Sequence, residues 1–180
     1  IVVTSVADDT GSITTSNEDV NQLISNIFWG QYSNYLSVPT DCPQRDERKG
    51  WTADAQVFST AASYNGNSKG FLSQYMDALN DSQIIGGYYD GAFPDTAPYN
   101  GYGEIGQLGW ADTGVIIPYN LYKMYGDKSI IEKCYPYMQK FMDVFMASTN
   151  KYGGGHNHGD HLSYESNDDE IKNILGIAYY

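Results

Sequence analysis

The sequence predicts an all-helical fold, an array of α-helical hairpins whose long loops gather at one end. Apolar residues recur at helical spacing in six segments, and little of the chain alternates as a β-strand does. Short and long connections alternate between the six segments, which is typical of consecutive hairpins. Six helices in this arrangement would form half of a larger ring.

The first three helices follow from capping residues and apolar spacing. The first is predicted over residues 17–34, behind a capping box formed by Ser16 and Asp19. The second is predicted over residues 52–64, and the third begins after Ser68. Their inward apolar positions are predicted to be Val20, Leu23, Ile24, Ile27 and Phe28, then Val57, Phe58, Ala61 and Ala62, then Phe71, Leu72, Tyr75, Met76 and Leu79.

The last three helices are separated by a short turn and by long loops. A loop rich in Gly and Pro covers residues 82–109, and loops of that length are usually functional. Helical spacing returns over residues 115–125, where Pro118 should kink or shorten the helix. Asp127 is predicted to cap the next helix and Asp168 a final one, which reaches the end of the sequence.

The first 15 residues stand apart from this pattern. Residues 1–6 and the region of Gly11 suggest a short strand and a turn, so we expect residues 1–15 to be a linker or short strand from an upstream domain. Residues 16–180 are then the helical part. Because the last helix has no stop signal, we expect this domain to continue beyond residue 180.

Composition and charge argue against several kinds of partner. The 180 residues are 41% hydrophobic and 14% aromatic, which suffices for a buried core. A net charge of -12 with no basic run would repel phosphate backbones, so we expect no nucleic acid partner. No apolar run approaches the roughly 18 residues of a membrane span, so we expect no membrane partner. Localisation stays open between secreted, periplasmic and cytoplasmic.

The loop over residues 38–54, between the first two helices, has the highest concentration of candidate functional side chains in the sequence. It holds four carboxylates, three basic residues and one tryptophan within 14 positions. Two prolines and Gly50 prevent a simple helical face, so the charges project from irregular backbone. The charges alone suit a surface salt-bridge network equally well, with Asp54 in a capping role.

The full pattern of this loop resembles a known family. Thr40-Asp41-Cys42-Pro43-Gln44-Arg45-Asp46-Glu47-Arg48, followed by Gly50-Trp51 and Asp54, is similar to the hallmark of α-L-rhamnosidases of glycoside hydrolase family 78. The resemblance extends over most of the chain through Ser16-Asn17, Asn21-Gln22-Leu23, Pro94-Asp95, Pro98, Gly109-Trp110-Ala111-Asp112 and Tyr125-Gly126-Asp127. Because the family's catalytic domain is an (α/α)6 barrel of six helical hairpins, the resemblance implies that this chain is its N-terminal half.

The resemblance also implies an inverting glycosidase that releases terminal α-L-rhamnose with no metal or organic cofactor. Glu47 resembles the general acid, and neighbouring carboxylates would favour its protonated form, whereas Arg45 and Arg48 would oppose it. The residues that resemble the family's rhamnose ligands are Asp41, Arg45, Trp51, Asp54, Trp110 and Asp112. The family's catalytic base resembles a glutamate in the second half of the barrel, so we expect this chain alone to lack hydrolytic activity.

The last long loop departs from the family pattern. Family members usually have Trp where this sequence has His161, and an imidazole offers less stacking area to a sugar. His156, His158 and His161 lie near Asp160, which suggests zinc, but their spacing matches no closed zinc motif. We therefore predict no metal and favour hydrogen bonding to sugar hydroxyls.

Three other functions stay open. A non-catalytic carbohydrate-binding fragment would keep the sugar contacts without the base. A structural fragment would pair its half-barrel with a second copy and so cover its apolar faces. A six-hairpin glycosidase for another deoxy or uronic sugar would account for His161.

Overall fold

The computed structural model describes residues 3–6, 8–148, 158–161, 163–164 and 169–179. These residues form α-helices and isolated β-bridges but no β-strand, so the all-helical prediction is confirmed. The helices are α1 (Glu18–Asn34), α2 (Thr52–Asn65), α3 (Lys69–Asp81), α4 (Thr113–Tyr125), α5 (Ser129–Ser148) and α6 (Asp169–Tyr179). Within the described ranges, none of these helices combines the length and the apolar character needed to cross a membrane.

Helix α4 lies at the centre of the packing. It contacts α2, α3 and α5, and α3 also contacts α5. The contacts of α2 with α4 and of α3 with α5 join helices that are two apart in the chain. This is expected when alternate helices of successive hairpins lie in the same layer.

Helix α3 buries the apolar face that its sequence predicts. The five predicted positions Phe71, Leu72, Tyr75, Met76 and Leu79 all belong to the hydrophobic core. Tyr75 also donates its hydroxyl to the carbonyl of Gly50 at 3.0 Å. The core stripe of α3 therefore also supports the loop that precedes α2.

Helices α1 and α2 differ from their predictions. Asn17 rather than Ser16 caps α1, because its Oδ1 accepts the backbone N–H groups of Asp19 and Val20 at 2.9 and 3.3 Å. Val57 of α2 is 77% exposed instead of inward. The buried residues of α2 are Thr52, Ala55, Gln56, Ser59, Ala62 and Ser63. The spacing of apolar residues did not predict this buried face, because most of its side chains are polar.

Two predictions about the later helices have definite outcomes. Helix α4 continues through Pro118, and the predicted shortening does not occur; a proline removes only one backbone hydrogen bond. Asp127 Oδ1 accepts the N–H of Ser129 at 2.9 Å before α5, as predicted for a cap. Asp168 and Tyr180 lie outside the described residues.

The described part of the N-terminal segment is irregular and lies against α1 and α2. The N–H of Ser5 donates to the carbonyl of Tyr35 at 2.7 Å, and Asp9 forms an isolated bridge with Gly66. Ile1 and Val2 are outside the described residues. The boundary at residue 15 and the upstream domain stay predictions.

The connections alternate in length along the chain. Short connections follow α2 and α4, whereas residues 35–51 and 82–112 form long connections after α1 and α3. Between α5 and α6 the structure describes residues 158–161 and 163–164. Because successive helices of a hairpin array run in opposite directions, the two long connections emerge at the same end. The residues predicted to bind the sugar lie on these connections or at the adjoining helix starts.

Candidate active site

Glu47 is held by two residues of its own loop. The indole N–H of Trp51 donates to Oε1 of Glu47 at 2.5 Å, and the guanidinium of Arg45 forms an ion pair with Oε2. The same guanidinium donates to Oδ2 of Asp41 at 3.1 Å. The side chains of Glu47 and Asp41 are only 16% and 15% exposed. The structure therefore brings together four of the residues that the resemblance singles out.

Part of the same charge cluster is ordinary surface. Arg48 and Asp46 form an ion pair at 3.0 Å in which more than four fifths of each side chain is exposed. Exposed pairs of this kind contribute little to stability. The salt-bridge-network interpretation thus fits this pair. Glu47 and Asp41 differ from it, because both carboxylates are largely shielded and pair with Arg45, whose own side chain is 60% exposed.

Two of these carboxylates, together with Cys42, also have the spacing of a cation site. Ligand atoms of Asp41, Cys42 and Glu47 lie within 4.8 Å of one another, the one such group found among the described residues. Arg45 donates to Sγ of Cys42 at 3.1 Å, besides its contacts with both carboxylates. The chain therefore supplies its own positive charge at this point.

The two long connections, the start of α2, and His158 and His161 meet around a cavity of about 320 Å³. Its lining residues are Asp41, Arg45, Trp51, Asp54, Asp95, Tyr102, Gly103, Glu104, Trp110, His158 and His161. Glu47 contacts this lining through Trp51 and Arg45. Five of the six predicted sugar ligands line one cavity, although they come from separate parts of the chain.

Aromatic rings form two sides of the cavity. The ring of Trp51 packs edge-on against Tyr102 with the centroids 6.0 Å apart. Trp110 packs edge-on against His158 at 4.6 Å and against His161 at 6.1 Å. Such rings offer apolar contact to the C–H faces of a sugar while carboxylates beside them receive its hydroxyls. His156 and Leu162 lie outside the described residues.

Asp54, in the first turn of α2, has a raised pKa. Burial is the main cause, and the negative charges of Asp41 and Glu47 add to it. His161 and a backbone hydrogen bond act in the opposite direction. The raised pKa favours a carboxyl that can donate as well as accept a hydrogen bond.

Asp112, the sixth predicted sugar ligand, does not line the cavity. Asp112 is 7% exposed, and its Oδ2 accepts the N–H of Gly109 at 2.5 Å. Gly109 has a positive φ of 85°, so it forms the tight turn that carries Trp110. Asp112 supports this turn, and its contact with sugar stays a prediction.

Asp95 and Tyr102 line the cavity but were not among the six predicted ligands, and His158 lines it as one of the histidines predicted to bond to sugar hydroxyls. Asp95 is 1% exposed; its Oδ2 accepts the N–H of Glu104 and lies 2.9 Å from Nε2 of His158. The sequence signal for Asp95 is the Pro94-Asp95 and Pro98 part of the family resemblance, which assigned this residue no role of its own. Its pairing with His158 depends on the packing of two loops, so it has no local sequence signature.

A carboxylate-rich and aromatic cavity at the loop end of a helical-hairpin array is typical of a carbohydrate site. Comparison with known families gives a more specific assignment. The family described as the bacterial alpha-L-rhamnosidase 6 hairpin glycosidase domain matches residues 8–180. The chain belongs to this family, and its fold is therefore a partial six-hairpin barrel, as predicted.

Individual relatives agree with this assignment. An alpha-L-rhamnosidase of Streptomyces avermitilis is 39% identical over 168 residues, which are 89% of this chain and 15% of the relative. One from Formosa agariphila is 39% identical over 144 residues, 80% of this chain and 15% of the relative. The crystal structure of a Streptomyces avermitilis alpha-L-rhamnosidase complexed with L-rhamnose superposes with a TM-score of 0.89 at 36% identity, covering 98% of this chain and 17% of that one. This chain thus spans about a sixth of the length of these relatives.

Proposed function

We propose that this chain is part of an inverting glycoside hydrolase that releases terminal α-L-rhamnose from glycans or glycosides, with Glu47 as the general acid. The observation that carries the proposal is the position of Glu47, which is shielded, bonded to Trp51 and Arg45, and adjacent to the carboxylate-lined cavity. Family membership and the L-rhamnose in the Streptomyces structure support the choice of sugar.

In this mechanism Glu47 donates a proton to the glycosidic oxygen as the bond to the sugar breaks. A second carboxylate activates a water molecule that attacks the sugar from the opposite face, which inverts the configuration. The Trp51 indole N–H fixes one oxygen of Glu47, and Arg45 stabilises the carboxylate left after proton transfer. No metal or organic cofactor enters this mechanism.

The terminal sugar would be held by residues from two connections and from the first turn of α2. Asp41, Asp54 and Arg45 offer hydrogen bonds to its hydroxyls, while Trp51 and Trp110 contact its apolar faces. We place the general base outside this chain, in the larger part of the relatives' length that the chain does not span. The chain alone should therefore bind the sugar without turning it over.

The test is hydrolysis of para-nitrophenyl α-L-rhamnoside by the full-length protein. Glu47→Gln should lower kcat/KM by roughly 10²- to 10⁴-fold, because a neutral amide cannot donate a proton to the leaving oxygen. Asp46→Asn is the matched control, since it neutralises the adjacent and largely exposed carboxylate, and it should retain activity. Equal losses in the two variants would contradict the assignment of Glu47.

The carbohydrate-binding alternative makes a different prediction in the same assay. This alternative is open because we assign the catalytic base to no residue of this chain, whereas the residues predicted to contact the sugar are present. If the full-length protein binds L-rhamnose but does not hydrolyse the glycoside, the binding function replaces the catalytic one.

A further inference from the structure

The three basic residues of the loop before α2 differ in their partners. Arg45 and Arg48 form ion pairs with carboxylates of the same loop. Lys49 forms no ion pair with any residue that the structure describes. Its Nζ lies instead over the ring of Tyr102, 3.8 Å from the ring centroid. Because an aromatic face attracts an ammonium group without neutralising it, the charge of Lys49 is open to an anion.

The backbone on both sides of Lys49 is fixed. Arg48, directly before it, has a φ of 57°, in the left-handed region that residues other than glycine seldom adopt. The carbonyl of Gly50, directly after it, accepts the N–H of Ala97 at 2.9 Å and the hydroxyl of Tyr75 at 3.0 Å. Lys49 is itself half-buried. Its ammonium group is therefore held near one place, so less conformational entropy is lost when it binds a ligand.

Tyr102, the ring beneath Lys49, lies at the rim of the cavity. It lines the cavity and yet is 51% exposed. The residues on either side of it, Gly101 and Gly103, have positive φ values of 88° and 87°. Its carbonyl accepts the hydroxyl of Thr96 at 3.1 Å. This turn holds Tyr102 so that about half of the residue stays open to a ligand.

Ring contacts connect Tyr102 with the proposed general acid. Tyr102 packs edge-on against Trp51 with the centroids 6.0 Å apart, and the indole of Trp51 donates to Glu47. A general acid must reach the glycosidic oxygen, which joins the terminal sugar to the leaving group. The leaving group therefore begins beside Glu47. Because the carboxylate-lined cavity takes the terminal sugar, the leaving group extends towards the exposed rim that Tyr102 and Lys49 form.

On the basis of the proposed rhamnosidase function, we propose that Lys49 and Tyr102 bind the leaving group and that they select an acidic sugar there. The ammonium group of Lys49 pairs with a carboxylate or a sulfate of that sugar, and the sugar ring rests against the exposed part of Tyr102. The substrate is then a glycan in which the terminal rhamnose is linked to a negatively charged sugar.

The remaining charge of the molecule opposes an acidic leaving group. The net charge of the chain is -12. Glu104 lines the cavity, and its Oε2 accepts the side-chain amide of Gln107 at 3.1 Å, which leaves its charge in place. Repulsion between distant charges disfavours an acidic sugar, whereas a partly buried contact pair with Lys49 favours it. Removal of the Lys49 charge should therefore abolish or reverse a preference for acidic substrates.

The test measures rhamnose release by the full-length protein from four disaccharides that form two matched pairs. Rhamnosyl-glucuronate is compared with its methyl ester, and rhamnosyl-glucose 6-sulfate with rhamnosyl-glucose. The measured quantity is the ratio of kcat/KM for the charged substrate to that for its neutral partner. In wild type at least one ratio should be about three to ten, as expected for one partly shielded charge pair. The larger ratio identifies carboxylate or sulfate as the group bound.

Substitutions at Lys49 assign this ratio to its charge. Lys49→Met keeps the apolar stem without the charge and should lower the ratio to one or below. Lys49→Arg keeps the charge and should retain a ratio above one. Lys123→Met is the matched control and should keep the wild-type ratio. Lys123 also lies over a tyrosine ring, 5.6 Å from the centroid of Tyr119, but on the last turn of α4 and away from the cavity.

The outcomes distinguish this inference from the proposed function. If wild type hydrolyses para-nitrophenyl α-L-rhamnoside but both ratios are one or below, the inference is overturned. It is also overturned if Lys49→Met lowers kcat/KM equally for charged and neutral substrates, because Lys49 is then structural. If wild type hydrolyses neither the disaccharides nor para-nitrophenyl α-L-rhamnoside, the proposed function fails, and this inference fails with it.

Discussion

The carboxyl group of Asp112 lies beneath the turn that carries Trp110, and burial raises its pKa to about 6 from an ordinary value of 3.8. Two backbone N–H groups, of Gly109 and of Asp112 itself, oppose this shift by favouring the charged form. A pKa that is higher in the folded than in the unfolded protein means that the folded state binds the proton more tightly. The resulting stability is complete below the unfolded pKa and is lost as the pH rises through about 6.

Asp112→Asn should remove this pH dependence. The amide cannot ionise, while its oxygen can still accept the N–H of Gly109. Between about pH 4 and pH 7, wild type should lose up to roughly 2 to 3 kcal/mol of stability relative to the variant. The measurement is the difference between the thermal midpoints of the two full-length proteins across this range. A difference that does not change with pH would contradict the prediction.

The sequence predicts the contacts within the loop over residues 38–54 better than the contacts in the rest of the site. Asp41, Arg45, Glu47 and Trp51 lie within one short segment, so their proximity follows directly from the chain. Asp95 and His158 are 63 residues apart, and their contact exists only because two loops fold over the same cavity. A contact between residues so far apart in the sequence cannot be predicted from local sequence patterns.

Gly114, the second residue of α4, packs against the ring of Phe93, which leaves no space for a side chain at this position. A Cβ on Gly114 would lie 2.1 Å from Cε2 of Phe93, and Phe93 is fully buried. Phe93 also packs against Phe141 of α5, with the ring centroids 5.5 Å apart. The glycine therefore sets how closely the 82–112 connection approaches both helices.

Gly114→Ala should destabilise the protein by about 1 to 3 kcal/mol or more, because the methyl group displaces a packed ring. This is opposite to the gain of roughly 0.5 to 1 kcal/mol that alanine usually gives inside a helix. Thermal unfolding of the full-length variants measures the effect.

Gly70→Ala is the matched control for this substitution. An added Cβ at Gly70, in α3, would have no neighbour within 4 Å, so this variant should be no less stable than wild type. Adding Phe93→Leu to Gly114→Ala should recover part of the loss, since the smaller side chain vacates the overlap. A Gly114→Ala variant as stable as wild type would contradict the packing argument.

Val20, Leu23 and Ile27 of α1 were predicted to face inward, but they are 39%, 58% and 40% exposed. The buried face was predictable in a helix that packs apolar residues against the described core. Helix α3 is such a case, and its whole stripe is in the core. Helix α2 is the opposite case, because Gln56 donates to the carbonyl of Gly109 at 2.5 Å and Ser59 accepts from Asn120 at 2.9 Å. Buried polar side chains that find partners on other elements leave no apolar pattern to recognise.

Across the whole molecule, α1 and α2 present an apolar face with little covering it among the described residues. A groove of about 670 Å³ runs between them. Its apolar lining includes Ile27, Val57 and Phe58, and it shares Asp41, Asp54 and Trp110 with the cavity described above. Val20, Leu23 and Trp29 of α1 are also exposed. In a six-hairpin barrel of which this chain is only a part, we expect further hairpins to pack on this face.

Residues 1–180 expressed alone should therefore self-associate. Light scattering after size-exclusion chromatography should give a mass above the 20.0 kDa of one chain. Val57→Asp places a charge on the exposed face and should shift the mass towards that of one chain, whereas Glu132→Gln, a change on α5, should not. A clean mass of one chain for the unsubstituted fragment would contradict the prediction.

Because short and long connections alternate, the two ends of the helix array differ: the long connections form the cavity at one end, and the short turns lie at the other. The turns over residues 66–68 and 126–128 lie at the end opposite the cavity, and Lys128 in the second turn is exposed. A tether or a reporter group attached at Lys128 would leave the substrate opening unobstructed. Attachment of residues 1–180 to a solid support through this lysine would turn the cavity away from the support and towards the solution.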